Sequence, residues 1–159
     1  MAIKNVTNLS GKLLVAMPQL QDSYFAHSVI YICHHDDEGT MGLVLTNLIH
    51  NMTFGDVINQ LAPENMVNKN HVNFKQLVRS GGPVEIAQGF LLHSPDYHDK
   101  RHSTPINDDI YLSANIDIIR DIAESHGPSH FIPFLGYAGW DKGQLEDEIL
   151  KNSWLHCTP

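Results

Sequence analysis

A chain of 159 residues, 42% of them hydrophobic, is enough for one compact domain with its own core. Charged residues make up only 18%, too few for long disordered charged tails. A formal net charge of −8, with ten Lys and Arg in all, argues against a broad phosphate-contacting face and leaves room only for a local basic patch. The run Met1 to Thr7 lacks the charged-then-apolar layout of a secretory signal. No stretch reaches the roughly 20 apolar residues of a membrane span, so the expectation is a cytoplasmic protein with no membrane association. Two cysteines, Cys33 and Cys157, make no disulfide scaffold. Cys33 reads as a buried reduced thiol and Cys157 as part of a mobile end.

Lys12 to Met17 reads as a short buried strand stopped by Pro18, and Ser28 to Cys33 as a second strand rich in β-branched residues. His34 to Thr40 is polar and reads as a hairpin loop, with Met41 to Leu45 as the returning strand. Thr53-Phe54-Gly55-Asp56 resembles a helix start, and Val57, Ile58 and Leu61 keep helical spacing. Ala62 to Asn73, rich in Asn and carrying Pro63, reads as an irregular connection. Gln76 to Arg79 is a strand running into Gly81-Gly82-Pro83, a strong turn signal. Gly89 to His93 is a further strand, Ser94 to Asn107 an exposed loop, and Ile110 to Leu112 a short strand.

Ser113 then caps a helix to about Ser125, with Ile116, Ile119 and Ala123, and Ile118 and Ile122 beside them, on a broad apolar stripe. His130 to Leu135 is a strand, and Gly136-Tyr137-Ala138-Gly139-Trp140 reads as a shaped turn after it. Asp141 as N-cap and Gln144 as capping-box partner open a last helix from Leu145 to Lys151. The order β-β-β-α-β-β-β-α-β-α, with hairpins preceding the first helix, predicts a single α+β domain over residues 1–159.

Five pieces in order carry a family resemblance. They are Gly11-Lys12-Leu13-Leu14-Val15-Ala16-Met17-Pro18 with Asp22 and Phe25; Gly39-Thr40-Met41-Gly42-Leu43-Val44-Leu45; Gly81-Gly82-Pro83-Val84; Gly89-Phe90-Leu91-Leu92-His93-Ser94; and Gly136-Tyr137-Ala138-Gly139-Trp140 with Gly143-Gln144-Leu145-Glu146. Asn152-Ser153-Trp154-Leu155 adds a closing segment. Together they resemble the AlgH/YqgE family of bacterial proteins over nearly the whole chain. The resemblance implies a strongly curved mixed sheet, partly closed and barrel-like, packed with about three helices. It implies a role in transcriptional control without a mechanism, and it carries over no catalytic residue. The chain departs from the family pattern after Gly42-Leu43-Val44-Leu45. There Thr46, Asn47 and Leu48 stand where Asn, a basic residue and Pro are usual. Family members also run some tens of residues beyond the position of Pro159.

Histidine is the first candidate chemistry. His34-His35-Asp36-Asp37-Glu38 gathers five ligand-type residues, and His93, His98 and His102 a second set with Asp96 and Asp99. Neither has a recognised metal-ligand spacing, so each reads first as a polar loop, and His93 as a satisfied strand-end histidine. No Gly-x-Ser-x-Gly elbow is present; Ser80 precedes a glycine pair, and Cys33 and His34 are adjacent and so point to opposite faces of a strand. Gly81-Gly82-Pro83-Val84 offers backbone amides to an anion, less the one Pro83 lacks, in a sequence without a phosphate-loop motif. The ten basic residues are scattered, against direct nucleic-acid binding.

The aromatic segment is the better candidate. A surface built from Gly81, Gly82, Pro83, Tyr137, Trp140 and Gln144 would bind a protein or a small ligand, since aromatics dominate such contacts. The competing reading is a folding role for the same glycines and aromatics. The expectation is a non-enzymatic binding or regulatory protein needing no cofactor, and the rival a metal-assisted hydrolase using the histidine loops.

Overall fold

The computed structural model describes residues 8–61, 74–97 and 103–159. These form ten strands and three helices in one chain order. They are β1 (Leu13–Ala16), β2 (Val29–Asp36), β3 (Gly39–Val44), β4 (Leu48–Thr53), α1 (Phe54–Leu61), β5 (Leu77–Ser80), β6 (Val84–His93), β7 (Ser103–Pro105), β8 (Tyr111–Ser113), α2 (Ile116–Ala123), β9 (Phe131–Asp141), α3 (Gln144–Leu150) and β10 (Trp154–Cys157). The strands make one sheet, curled into a half-barrel, in the order β10-β1-β2-β3-β9-β6-β8-β7, with β4 paired to β5 and β5 to β9. Among the described residues only β5 and β9 run parallel; the other pairs are antiparallel. The expected α+β class and curved mixed sheet with three helices stand. Among the described residues no helix is long and apolar enough to cross a membrane.

The spine is β9, eleven residues long and hydrogen-bonded to β3, β5 and β6. The expected turn at Gly136 to Trp140 is therefore extended strand. Glycine serves there as a place where another backbone can pass. Gly81 donates its N–H to Leu135 O (2.8 Å) and accepts Val44 N–H on its own carbonyl (2.8 Å), which locks β5 between β3 and β9. A Cβ on Gly82 would collide with the Tyr137 carbonyl group, and one on Gly136, at φ +77°, with the Gly82 carbonyl oxygen. No side chain larger than hydrogen fits at that crossing. Beyond it β6 arches away: Val84 pairs with Tyr137 and Gly89 with Leu135, so four residues of β6 face one of β9.

Three apolar clusters follow. Leu14, Ile30, Ile32, Val44, Ala138, Trp140, Leu145 and Trp154 pack between the sheet and α3. Phe54, Ile58, Leu91, Ile118 and Ile122 join α1 and α2 to the sheet. Tyr31, Cys33, Leu43, Phe90, Leu92 and Phe134 fill the opposite face of the strands that carry the first cluster. Helix α1 starts as its sequence suggests: Asp56 Oδ2 accepts Thr53 N–H (3.0 Å) and Thr53 Oγ1 accepts Asp56 N–H (3.2 Å).

Several boundaries differ from the sequence reading. The polar run His34 to Thr40 is mostly strand, because Asp36 Oδ1 accepts Glu38 N–H (2.8 Å) and Gly39 N–H (3.2 Å), which closes a tight turn and lets β2 extend to Asp36. Strands β4, β7 and β10 escape periodicity, being short, polar or at sheet edges. Cys157 is not loose but paired with Leu13. Helix α2 is capped by Asn115, whose side chain accepts Asp117 N–H (2.8 Å), rather than by Ser113. Helix α3 opens at Gly143 in the left-handed region; of the expected capping box, the bond from Asp141 N–H to Gln144 Oε1 (2.9 Å) remains. The connection expected over Ala62 to Asn73 lies outside the described residues.

Gly82→Ala is expected to cost about 3 kcal/mol or more, or to prevent folding, since the backbone there cannot yield. Gly89→Ala, where a Cβ meets nothing within 4 Å, should stay within about 0.5 kcal/mol of the native protein. Urea unfolding of the two variants checks the contrast, and equal losses would refute a constraint specific to the crossing.

Candidate functional site

The residues singled out in the sequence separate into three places. Gly81 and Gly82 are buried under β9, Pro83 is exposed beyond them, and the Gly81 amide is already spent on Leu135. Those amides form no open anion cradle. Trp140 is 6% exposed and packs against Phe25 and Trp154, with ring centroids 6.3 and 6.1 Å away. Its Nε1–H donates to Glu148 Oε1 (3.1 Å), which also accepts Trp154 Nε1–H (3.0 Å). Gln144 is exposed on α3, where its amide nitrogen donates to Glu148 Oε2 (3.0 Å). Trp140 and Gln144 thus meet on Glu148, whose carboxylate ties α3 to two strands.

Tyr137 goes elsewhere. Alternation along β9 places Tyr137, Gly139 and Asp141 on the face away from Ala138 and Trp140. That face opens into a cleft of about 720 Å³. Tyr137 meets Phe90 edge-on (5.8 Å, 79°), and its ring covers Gly139, where a Cβ would sit 3.5 Å from Tyr137 Cε2. Met41, paired with Gly139, and Val84, paired with Tyr137, complete an apolar floor. Asp36, Glu38, Glu85 and Asp141 stand around it with His34. The sequence reading missed Met41, Phe90 and Val84. Only strand register shows them to be neighbours of Tyr137.

A bulge in β2 decides what faces this cleft. Ile32 pairs with Gly42 and His34 with Met41, so Cys33 is an inserted residue. His34 and Asp36 consequently lie on the cleft side, joined through Nε2 and Oδ2 (2.7 Å). His35 turns the other way and is buried. Its Nδ1 accepts the Leu9 N–H (2.9 Å), which leaves the ring hydrogen on Nε2, 3.4 Å from Glu146 Oε2. Of the polar residues from His34 to Glu38, His34, Asp36 and Glu38 therefore face the cleft and His35 the core. Among the described residues no three His, Cys, Asp or Glu side chains converge as a metal site would require. His98, His102 and Asp99 lie outside the described residues.

His93 is 3% exposed and its ring is committed at both nitrogens: Nδ1–H donates to Ser94 O (2.8 Å) and Nε2 accepts from Ser113 Oγ (2.8 Å). Ser113 in turn bonds Ser103 Oγ (2.7 Å). Burial holds the imidazole below its ordinary pKa, against smaller opposite pulls from the Ser94 carbonyl and Asp96. Asp96 itself is lowered to about 2, chiefly by the Ser129 and Ser94 hydroxyls. Ser80 Oγ pairs with the Tyr24 hydroxyl (2.8 Å). The Cys33 thiol is pushed up to about 12 by burial, so it is no nucleophile at neutral pH.

Residues 13–159 match the family described as AlgH-like. A UPF0301 protein of Rhodopseudomonas palustris (strain HaA2) is 47% identical over 153 residues, covering 94% of this chain and 70% of that protein. A UPF0301 protein of Nitrobacter hamburgensis is 44% identical over 152 residues, with the same coverage of 94% and 70%. The solution structure of the AlgH protein from Pseudomonas aeruginosa superposes with a TM-score of 0.79 at 34% identity, over 96% of this chain and 78% of that one. A crystal structure of a Corynebacterium diphtheriae protein is similar in fold, with a TM-score of 0.73 at 23% identity, over 98% of this chain and 78% of that one.

Two measurements check the chemistry of these groups. Thiol labelling of the native protein at pH 8 should modify Cys157 quickly and Cys33 only after unfolding; two fast thiols would refute the assigned burial. His93 is harder to protonate in the folded chain than in the unfolded one. Its contribution to stability is therefore intact above the ordinary value of 6.5 and is lost as pH falls towards the depressed folded value. Chemical denaturation from pH 7 to pH 5 should show stability declining, and His93→Gln should flatten that decline.

Proposed function

This chain belongs to the AlgH-like family, and from that premise we propose that it is a non-enzymatic binding protein whose partner, a protein or small ligand, occupies the Tyr137 cleft. The observation that carries this reading is the pairing of an apolar floor, Tyr137, Phe90, Met41 and Val84, with a polar rim in one open cleft. His93 is spent on Ser94 and Ser113, His35 Nδ1 on Leu9, and the Cys33 thiol lies in the core, while the His34–Asp36 pair in the cleft has no Ser or Cys among the described lining residues to activate. Gly81 and Gly82 contribute by shaping the strands beneath, and Trp140 and Gln144 by fixing α3 behind the sheet.

The carboxylates at the rim oppose a phosphate backbone, so any effect on transcription is indirect, through the bound partner. A cytoplasmic site of action is part of this reading. No described geometry favours the metal-assisted hydrolase over it.

A crosslinked pull-down from the source cell's lysate tests the cleft. Gly139→Leu adds bulk under the Tyr137 ring at a position where a Cβ makes only ordinary contact, and Tyr137→Ala removes the cleft's principal aromatic. The expected outcome is a partner retained by the native protein and reduced at least about tenfold in both folded variants. Capture that is identical in all three proteins, or empty in all three, would overturn the reading. Titration with duplex DNA at low salt should give no binding.

A further inference from the structure

A second concavity shares no lining residue with the Tyr137 cleft and goes beyond the reading above. It is an opening of about 390 Å³ on the side of the half-barrel filled by Tyr31, Leu92 and Phe134. Its walls are Leu13 from β1, Tyr31 from β2, Leu45 just after β3, Leu92 from β6 and Ile132 from β9. Leu13, Leu45 and Ile132 are only partly covered although they pack against the buried cluster. Four strands and the residue after β3 thus present apolar surface to one space, of a size that takes a small organic molecule. A curled sheet commonly holds such ligands where side chains do not fill its interior.

The polar groups at the edge define the ligand further. Both ring nitrogens of His93 are committed, and Ser94 Oγ donates to Asp96. Asp109 is exposed at the rim, His130 borders the opening with Nδ1 on Ser129 Oγ (3.1 Å), and among the described residues no Lys or Arg lines it. A carboxylate- or phosphate-headed ligand would meet a like charge at Asp109 with no Lys or Arg among the described lining residues to offset it, whereas an ammonium head would be attracted.

We propose that this opening binds a small apolar amine, its hydrocarbon body against Leu13, Leu45, Leu92 and Ile132 and its ammonium at Asp109. Three probes of matched shape test it: 2-(1-naphthyl)ethylamine, 2-(1-naphthyl)ethanol and 1-naphthylacetate, each titrated at pH 8 and followed by amide chemical shifts. The expected result is shifts concentrated on the named wall residues, with the amine binding about fivefold more tightly than the acetate, the scale of one exposed ion pair. Asp109→Asn should bring the amine's affinity down to the alcohol's. Leu45→Trp, which fills the opening, should abolish shifts from all three. Shifts that are absent or spread over the surface, or an acetate that binds as well as the amine, would overturn the proposal. Because no residue is shared, Tyr137→Ala should leave this binding in place, and loss there would also count against it.

Discussion

Where Gly81 and Gly82 pass Gly136 and Tyr137, two backbones lie too close for a β-carbon on any of the three glycines, and the rest of the sheet depends on that passage. The crossing lets β5 run parallel to β9 while Gly81 bonds both Leu135 and Val44, so three strands are tied within a few ångströms. It lets β9 continue for eleven residues instead of turning, and it forces β6 to arch outward between Val84 and Gly89. The arch places Val84 and Glu85 on the cleft and leaves Ile86 70% exposed. A steric fact about hydrogen atoms in place of side chains therefore determines which residues reach the open face.

Buried polarity is handled on the opposite face by concentration. Glu148 accepts two indole N–H groups and the Gln144 amide, so one carboxylate satisfies donors from β9, α3 and β10. Charge-assisted bonds of this kind are stronger than neutral ones and leave both indoles paired as they pack. The helix is thereby held to the sheet by a polar link as well as by Leu145. Trp140 borders the cleft as well, but its indole N–H is held by Glu148, and Tyr137 and Phe90 make the edge-on aromatic pair there.

Much of the fold is legible in the residues. The apolar runs in Lys12 to Met17 and Ser28 to Cys33, the Thr53–Asp56 start of α1 and the isoleucine stripe of α2 each act locally, and local signals survive folding. What is not legible depends on partners. Gly136 to Gly139 looks like a turn because glycine favours turns, and only the presence of β3 and β5 alongside makes it strand. His34 to Asp36 looks like a loop because it is polar, yet pairing with β3 and one Asp36 turn extend it. For the site, Tyr137 was visible as an aromatic. Trp140 and Gln144, equally prominent in sequence, lie on the other side of the strand or on α3, and their distance from Tyr137 follows from strand alternation and helix placement.

The extra residue at Cys33 has one more consequence. In a strand, facing is a matter of parity, odd positions one way and even the other, and a single inserted residue reverses it for everything downstream until the turn. His34 reaches the cleft and His35 the core because of that reversal. Two related chains could carry the same His-His pair and expose opposite members of it if only one kept the insertion. Equivalence between relatives in this hairpin is therefore set by counting from the bulge to the Asp36 turn. Identical letters at aligned positions do not guarantee identical surroundings.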